Sequence, residues 1–451
     1  MSAPAAGPRV ATQAPGTFAA FVAAAHRRGD LVVQPRMGFS DPVDMRGGLR
    51  ATRAARATSV GTITLDSYTR VRDYTSARTA LAAGTPLNGY PIVSHPAEVT
   101  RGVLDGLAGP EFPVQVRHGS AQPCDIVEAL TALGLDATEG GPISYCLPYG
   151  RVPVRESIRE WARACRLFLR LRDTRGTEPH LESFGGCMLG QLCPPSLLIA
   201  ITVLECVFFR AQGIRTVSLS YAQQTSRSQD REALGALRAL AAEYLGDLDW
   251  HIVLYTYMGV YPVTREGALR LLCDSAELAV RGGAARLIVK TSAEASRVPT
   301  VAENVEALEL AGAVAAASRR PPRGPADRPA DSGVLDEARA LVEAVLNLHG
   351  DVGRALGAGV ERGFLDVPYC LHPDNPGRTR SRIEPDGRLA WSDTGLLPLG
   401  RAARRSRSGR LGSTELLTAL SFMRDRYDRE PDGRALAGGA TALPGGRRED
   451  R

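Results

Sequence analysis

The chain has almost no lysine, little cysteine and no long uninterrupted apolar run. Lys290 is the single lysine among 55 basic residues. Arginine has been used almost wherever a positive charge suffices, so this position marks a place that needs a compact ammonium rather than a planar guanidinium. The 8 cysteines in 451 residues include no C-x-x-C pair, which argues against a disulfide scaffold or a zinc ribbon and leaves reduced, structural thiols. No stretch approaches the roughly 18 apolar residues that span a bilayer. The longest apolar run, Leu197 to Phe209, is broken by Glu205 and Cys206 and reads as a buried helix. The N-terminus MSAPAAGPRVATQAPG has neither the charged head nor the apolar centre of a secretory signal, so a cytoplasmic location is expected. H-E-x-x-H, G-x-S-x-G and G-x-G-x-x-G are all missing, which speaks against metal or serine hydrolysis and against an open dinucleotide-binding sheet.

A net charge of +6 raises the question of nucleic acid. The basic residues are scattered, however, and their densest runs, Arg319–Arg323 and Arg401–Arg410, fall in segments that read as loop or tail. Solvated charge explains them better than a binding stripe.

Composition divides the chain. Residues 1–16 and 434–451 are rich in Gly, Pro, Ala and Arg and are expected to be disordered. Residues 319–333 read as a linker between a main domain, 17–318, and a C-terminal α+β region, 334–433. Within the main domain short β-rich runs alternate with helical patterns. Strand candidates are Leu31–Gln34, Gly61–Leu65, Tyr90–Val93, Val114–Val116, Thr138–Glu139, Leu181–Phe184, Thr216–Leu219, Ile252–Tyr255 and Leu287–Val289. Helices are expected at Cys124–Leu133, Val154–Arg172, Ser196–Ala211, Arg231–Leu245 and Arg265–Val280. Alternating βα units over this length predict a (β/α)8 barrel, although nine candidates compete for eight places.

Active sites of such barrels lie at the C-terminal ends of the strands. Those ends read Gln34-Pro-Arg36, Leu65-Asp-Ser-Tyr-Thr-Arg70, Leu87-Asn88-Gly, Arg117-His118-Gly, Glu139-Gly-Gly and Lys290-Thr-Ser-Ala-Glu294. Arg36, Arg70 and Arg117 are expected to converge on one mouth. Unpaired guanidinium groups are costly to bury, and few protein carboxylates are evident nearby, so a ligand carrying two carboxylates is the expected partner. The alternative is local pairing with Asp or Glu on the rim. Glu139, with Tyr145 and Tyr149 close by in sequence, can accept a proton or hydrogen bond from an ammonium, or simply hold a turn. His118 reads as a structural histidine rather than a metal ligand.

Taken in order with Ile143-Ser-Tyr145, Pro148-Tyr149, Phe184-Gly, Pro194-Pro-Ser, Met258-Gly, Ile288-Val-Lys290-Thr and Val298-Pro-Thr, these segments resemble the epsilon subunit of glutamate mutase (methylaspartate mutase) from about residue 24 to 315. The resemblance implies a barrel enzyme that interconverts L-glutamate and L-threo-3-methylaspartate by a radical mechanism with adenosylcobalamin. By position, it implies that Arg36, Arg70 and Arg117 grip the two substrate carboxylates and that Glu139 holds the amino group as base. Tyr145 and Tyr149 would line the substrate pocket. Asn88, Phe184, Lys290 and Glu294 would face the cofactor, the last two at its ribose.

The cobalamin motif D-x-H-x-x-G is not present. Asp249-Trp-His251 starts like it but continues Ile-Val-Leu on an apparent strand. The resemblance therefore implies a separate small sigma subunit that carries that motif, in an assembly of two large and two small chains. Ser220-Tyr-Ala-Gln-Gln-Thr-Ser and the 181–190 stretch depart from the family pattern, which leaves a paralogue with shifted substrate, or a non-catalytic one, as alternatives. A pyridoxal-phosphate enzyme using Lys290 as its Schiff-base lysine is another.

Overall fold

Short apolar runs bounded by turn residues become strands in the computed structural model, which describes residues 16–188, 192–319, 333–400 and 412–429. The strands are β1 Val32–Gln34, β2 Gly61–Thr64, β3 Val114–Arg117, β4 Ala137–Gly140, β5 His180–Ser183, β6 Thr216–Ala222, β7 Asp249–Tyr255 and β8 Arg286–Ile288. They form one parallel sheet in the order β1-β8-β7-β6-β5-β4-β3-β2. Val33 closes the ring. Its N–H donates to Thr58 O at 2.9 Å and its carbonyl accepts from Val60 N–H at 3.4 Å, joining β1 to the entrance of β2. The architecture is the expected (β/α)8 barrel. No helix among the described residues is long and apolar enough to cross a membrane.

The surplus strand candidate is Tyr90–Val93. Only Tyr90 touches the sheet, its N–H donating to Thr64 O at 2.9 Å. Pro91 has no N–H with which to extend the ladder, and the chain turns at once, Ser94 N–H donating to Pro91 O. The expected helices appear as Cys124–Leu133, Val154–Phe168 with Arg170–Arg175, Pro195–Ala211, Arg227–Tyr244 and Arg265–Gly282. Helix Pro195–Ala211 is buried along nearly its whole length. On its outer side lies helix Val334–Leu346, whose Ala338, Leu341 and Val345 join the core of the barrel. Glu337 of that helix accepts from Ser196 Oγ at 2.7 Å and from the Trp391 indole at 3.2 Å. Trp391 belongs to an antiparallel pair, β9 Arg380–Ile383 and β10 Leu389–Asp393, and helix Ser413–Arg429 covers Arg265–Gly282. Residues 1–15, 320–332 and 434–451, on which the disordered ends and most of the linker were expected, and the basic run 401–410, lie outside the described residues.

The interior departs from the usual branched aliphatic filling of such barrels. Its waist is polar. Arg286 of β8 and Glu182 of β5 are both 0% exposed and form an ion pair through Arg286 Nη2 and Glu182 Oε2. Arg286 Nη1 also donates to Gln34 Oε1, and to Gln115 Oε1 at 3.1 Å, while Gln115 Nε2 donates to Glu182 at 3.1 Å. Beneath them His180 and His251 stack with ring centroids 5.1 Å apart, and Arg286 Nε donates to His251 Nε2 at 3.4 Å. Burial first, then the Arg286 charge, lowers both imidazoles, His180 to about 3, so they remain neutral. Asp249-Trp-His251 is thus the start of a strand, as its pattern suggested, with the His251 ring stacked at the waist.

Phe18, at the start of helix Phe18–Arg27, closes the floor. Its ring centroid lies 5.0 Å from Arg286 Cζ and 5.4 Å from His180, and its N–H donates to Asp136 Oδ2 at 2.8 Å.

Breaking a buried ion pair on one side strands the other charge, which costs more than losing the pair. Arg286→Met is expected to lose about 3–5 kcal/mol in urea denaturation, and Arg286→Met with Glu182→Gln to recover much of it. Equal losses in the two variants would show that the pair does not govern the waist.

Candidate active site

The strand ends bring most of the singled-out residues to one mouth. Arg117 is the last residue of β3 and Glu139 the third of β4. Both are buried, at 4% and 2% exposure. Arg117 Nε donates to Glu139 Oε2 at 2.8 Å. Glu139 is therefore a strand residue with a charge partner, not a turn or cap residue. Tyr145 donates to Glu139 Oε1, and Tyr255, at the end of β7, lies 2.7 Å from Oε2. Arg117 Nη2 donates to the same Tyr255 hydroxyl at 3.3 Å, and its Cζ lies 5.2 Å from the Tyr255 ring centroid. Burial opposes the Arg117 charge, but Glu139, Tyr255 and Tyr145 outweigh it and hold the guanidinium more firmly protonated than usual.

The turn after β4 is fastened from behind. Gly140, at φ +134°, is packed so closely that a Cβ would lie 2.5 Å from Trp161 and Tyr145 atoms. Glu205, the one acid in the largely apolar helix Pro195–Ala211, takes hydrogen bonds from Ile143 N–H (3.0 Å), Ser144 N–H (2.8 Å), Ser144 Oγ (2.9 Å) and Ser183 Oγ (2.7 Å). Burial pushes its carboxyl up to about 7 despite these donors. A Cβ on Gly141 would lie 2.1 Å from the Glu205 carboxyl, so glycine is required there. The fastened turn presents Tyr145 and Tyr149 with ring centroids 6.0 Å apart, and Phe184 lies 5.1 Å from Tyr145 and 5.6 Å from Tyr255.

Arg70 arrives from β2. Asp66 caps the four-residue helix Ser67–Arg70, accepting from Thr69 N–H at 2.9 Å. Arg70 Nε then donates to His118 O at 3.2 Å, and its Cζ lies 5.8 Å from the Tyr149 ring centroid. Gly119, at φ +76°, leaves no room for a side chain there, since a Cβ would sit 2.9 Å from Arg70 Nε. His118 accepts from Ser120 N–H on Nδ1 at 2.9 Å. Burial, then Arg70 and Arg117, push its imidazole down to about 3. The neutral ring must then carry its proton on Nε2, which is buried and has no hydrogen-bond partner among the described residues. His118 is thus a spare donor as well as a structural residue.

On the opposite side Arg36, following β1, donates to Glu294 Oε2 at 3.2 Å, and Lys290 Nζ lies 3.8 Å from the same oxygen. Lys290 also sits 4.9 Å from the Tyr261 ring centroid. Burial lowers the Lys290 ammonium to about 8, with Glu294 opposing and Arg36 adding to the shift. Tyr149 connects the two sides. Burial raises its hydroxyl although a flank of the residue is exposed, and Arg36 and Arg70 both act against the rise. Each guanidinium is therefore within electrostatic reach of that hydroxyl. Asn88 is exposed and its Oδ1 accepts from Ser67 N–H at 2.9 Å.

The expected scarcity of carboxylates is corrected here. Two of the three arginines have protein partners, Glu139 and Glu294, and only Arg70 makes no ion pair among the described residues. Each arginine nevertheless keeps at least one guanidinium nitrogen without a protein partner. Tyr255, Glu182, Arg286 and Tyr261 did not stand out in the sequence, and Glu205 did so only as a break in an apolar run. The usable signal was alternation: Glu182 shares a strand face with His180, so one inward polar residue implied the other.

The family model described as methylaspartate mutase E chain matches residues 14–414. The chain is 31% identical over 350 residues to the glutamate mutase epsilon subunit of Escherichia coli O157:H7, covering 74% of this chain and 72% of that protein. It is 31% identical over 406 residues to the one from Desulfitobacterium hafniense strain Y51, covering 86% and 83%. For the Haloarcula marismortui protein the match is 30% over 400 residues, covering 84% and 79%.

Because Lys290 is the only lysine, side-chain amine labelling gives a single ε resonance. It is expected to titrate near pH 8 and to move lower still in Glu294→Gln, which removes the opposing charge. A midpoint at the ordinary 10.5 would contradict a buried ammonium at this mouth.

Proposed function

The chain belongs to the methylaspartate mutase E chain family, and we propose that it is the catalytic large subunit of an adenosylcobalamin-dependent isomerase interconverting L-glutamate and L-threo-3-methylaspartate. The observation that carries the reading is the mouth itself. Arg117 pairs with Glu139, Arg36 with Glu294, and Arg70 is tied to His118 O, and each keeps guanidinium donors to spare among the described residues.

A guanidinium binds a carboxylate best through two parallel N–H bonds. Glu139 holds Arg117 by its Nε edge, which fixes the plane and leaves Nη1 unpartnered. Arg70 is held the same way, by Nε on His118 O. In this reading Arg117 and Arg70 take the two substrate carboxylates, Arg36 adds positive charge beside them, and Glu139 takes the ammonium and one of its protons. Tyr145 and Tyr149 close the pocket over the substrate. The His118 Nε2–H is a further donor.

The second cluster fits the nucleoside part of the cofactor. A ribose diol needs a donor and an acceptor side by side, and Lys290 Nζ and Glu294 Oε2 stand 3.8 Å apart beside the buried, unpartnered Tyr261 hydroxyl. Asn88 at the rim and Phe184 in the aromatic wall complete the cofactor side in this reading. When bound, adenosylcobalamin supplies the radical chemistry that removes and returns a substrate hydrogen. The barrel residues orient the dicarboxylate, hold its amino proton on Glu139 and keep bulk water from the reacting carbons. The corrinoid would be carried by a small sigma subunit bearing D-x-H-x-x-G, in an assembly of two large and two small chains. The lowered Lys290 ammonium is the one feature that favours a pyridoxal-phosphate enzyme instead.

The test is reconstitution with the small partner and adenosylcobalamin, following 3-methylaspartate formation from L-glutamate by NMR. Turnover is expected, and Arg117→Lys is expected to lose at least about thirty-fold in kcat/KM, roughly 2 kcal/mol, with the two-pronged contact. An active complex with unchanged Arg117→Lys kinetics would remove Arg117 from the substrate. A yellow protein fixed by borohydride at Lys290 would favour the pyridoxal reading.

A further inference from the structure

We infer that Tyr255, backed by the Glu182–Arg286 pair, is a positioning residue that keeps the Oε2 edge of Glu139 ready to receive a proton. The inference rests on the reading of Glu139 as the base for a substrate ammonium.

The Tyr255 oxygen has three polar neighbours: Glu182 Oε1, Glu139 Oε2 at 2.7 Å, and Arg117 Nη2, which donates to it at 3.3 Å. It has one proton to give and two carboxylates to give it to. Glu182 is the nearer of the two. Its other oxygen is taken by Arg286, by Gln115 Nε2 at 3.1 Å and by Ser218 Oγ at 3.3 Å. Burial works against the Glu182 charge, but Arg286, the Tyr255 hydrogen bond and Arg117 outweigh it and hold its carboxyl below the ordinary range. Glu182 is therefore a permanent acceptor, and the hydroxyl proton is directed to it.

The consequence appears at Glu139. With its proton turned toward Glu182, Tyr255 shows Glu139 Oε2 only lone pairs at 2.7 Å. Two acceptors at that distance repel unless a proton lies between them. A proton leaving a substrate ammonium fills that gap. The N–H bond breaks, the new O–H forms on Glu139 Oε2 and donates to the Tyr255 oxygen, and the Tyr255 proton stays with Glu182. No group in the waist changes charge.

Every other group around Glu139 is fixed. From β3 come Arg117, held protonated, and His118, neutral because burial and the nearby arginines push it down to about 3. From the turn after β4 come Tyr145, its hydroxyl pushed well up by burial and then by Glu139, and Tyr149. Beyond β5 the Cys187 thiol is likewise raised by burial and stays protonated. From β7 and β8 come Tyr255, raised by burial, and Arg286, the partner of Glu182. Among these groups Glu139 is the one with an oxygen that can take the substrate's proton without stranding a partner.

The test follows the Glu139 side-chain carboxyl by carbon NMR in the full chain, the resonance being identified by its loss in Glu139→Gln. Tyr255→Phe removes one oxygen. The neutral pair Glu182→Gln with Arg286→Met releases the Tyr255 proton toward Glu139 and serves if Tyr255→Phe does not fold. In both, the Glu139 midpoint is expected to fall by about one pH unit, a tenfold loss of proton affinity. The acid limb of kcat/KM in the reconstituted complex is expected to move with it. A midpoint unchanged or raised in folded variants would overturn the role of Tyr255. Absence of mutase turnover in the reconstituted wild type would instead overturn the functional reading, while the titration would still decide what Tyr255 does.

Discussion

A charge can stand in the dry waist of a closed barrel only if its opposite stands beside it, and the Glu182–Arg286 pair meets that condition with both residues fully buried. Once that pair is in place, the surrounding strands are committed. Gln34 of β1, Gln115 of β3 and Ser218 of β6 must turn inward to satisfy its remaining donors and acceptors. Tyr255 carries the same polar chain upward to within 2.7 Å of Glu139, and Glu139 extends it to Arg117 and Tyr145. The floor is sealed by Phe18 and the stacked histidines. The mouth is thus the upper end of a polar axis whose lower end is locked, which gives its side chains little freedom to drift.

This arrangement differs from a pocket assembled on loops. Arg117 and Glu139 lie within strands, and the turn leading to Tyr145 and Tyr149, although a loop, is stapled to the buried helix Pro195–Ala211 by three hydrogen bonds to Glu205, which β5 joins through Ser183. Only Arg70 and the Lys290–Glu294 side depend on segments beyond the strand ends. The strand-held pair Arg117 and Glu139 and the stapled tyrosine turn belong to the substrate in our reading, with Arg70 reaching in from the helix after β2.

Much of this was legible in the sequence, for identifiable reasons. Strands such as Val114–Arg117 and helices such as Cys124–Leu133 announce themselves through short apolar runs and helical spacing. The arginines at strand ends follow once the barrel is recognised. The pairing of Arg36 with Glu294, 258 residues away, does not, because ring closure between β1 and β8 brings them together. Arg286 was hidden for a different reason, since at the edge of a three-residue strand a charge looks like a boundary, while Glu182 fell inside an expected strand with nothing local to name its partner. Tyr90–Val93 misled in the reverse sense, its apolar run being cut by Pro91.

The central claim is that the mouth clamps a doubly anionic amino acid by Arg70 and Arg117 against Glu139. A crystal structure of the reconstituted complex with L-glutamate tests it most directly. The account predicts one substrate carboxylate on each of those two arginines and the ammonium within hydrogen-bonding distance of Glu139. Glutamate bound elsewhere, or guanidinium groups of Arg70 and Arg117 turned to solvent with the substrate present, would contradict it.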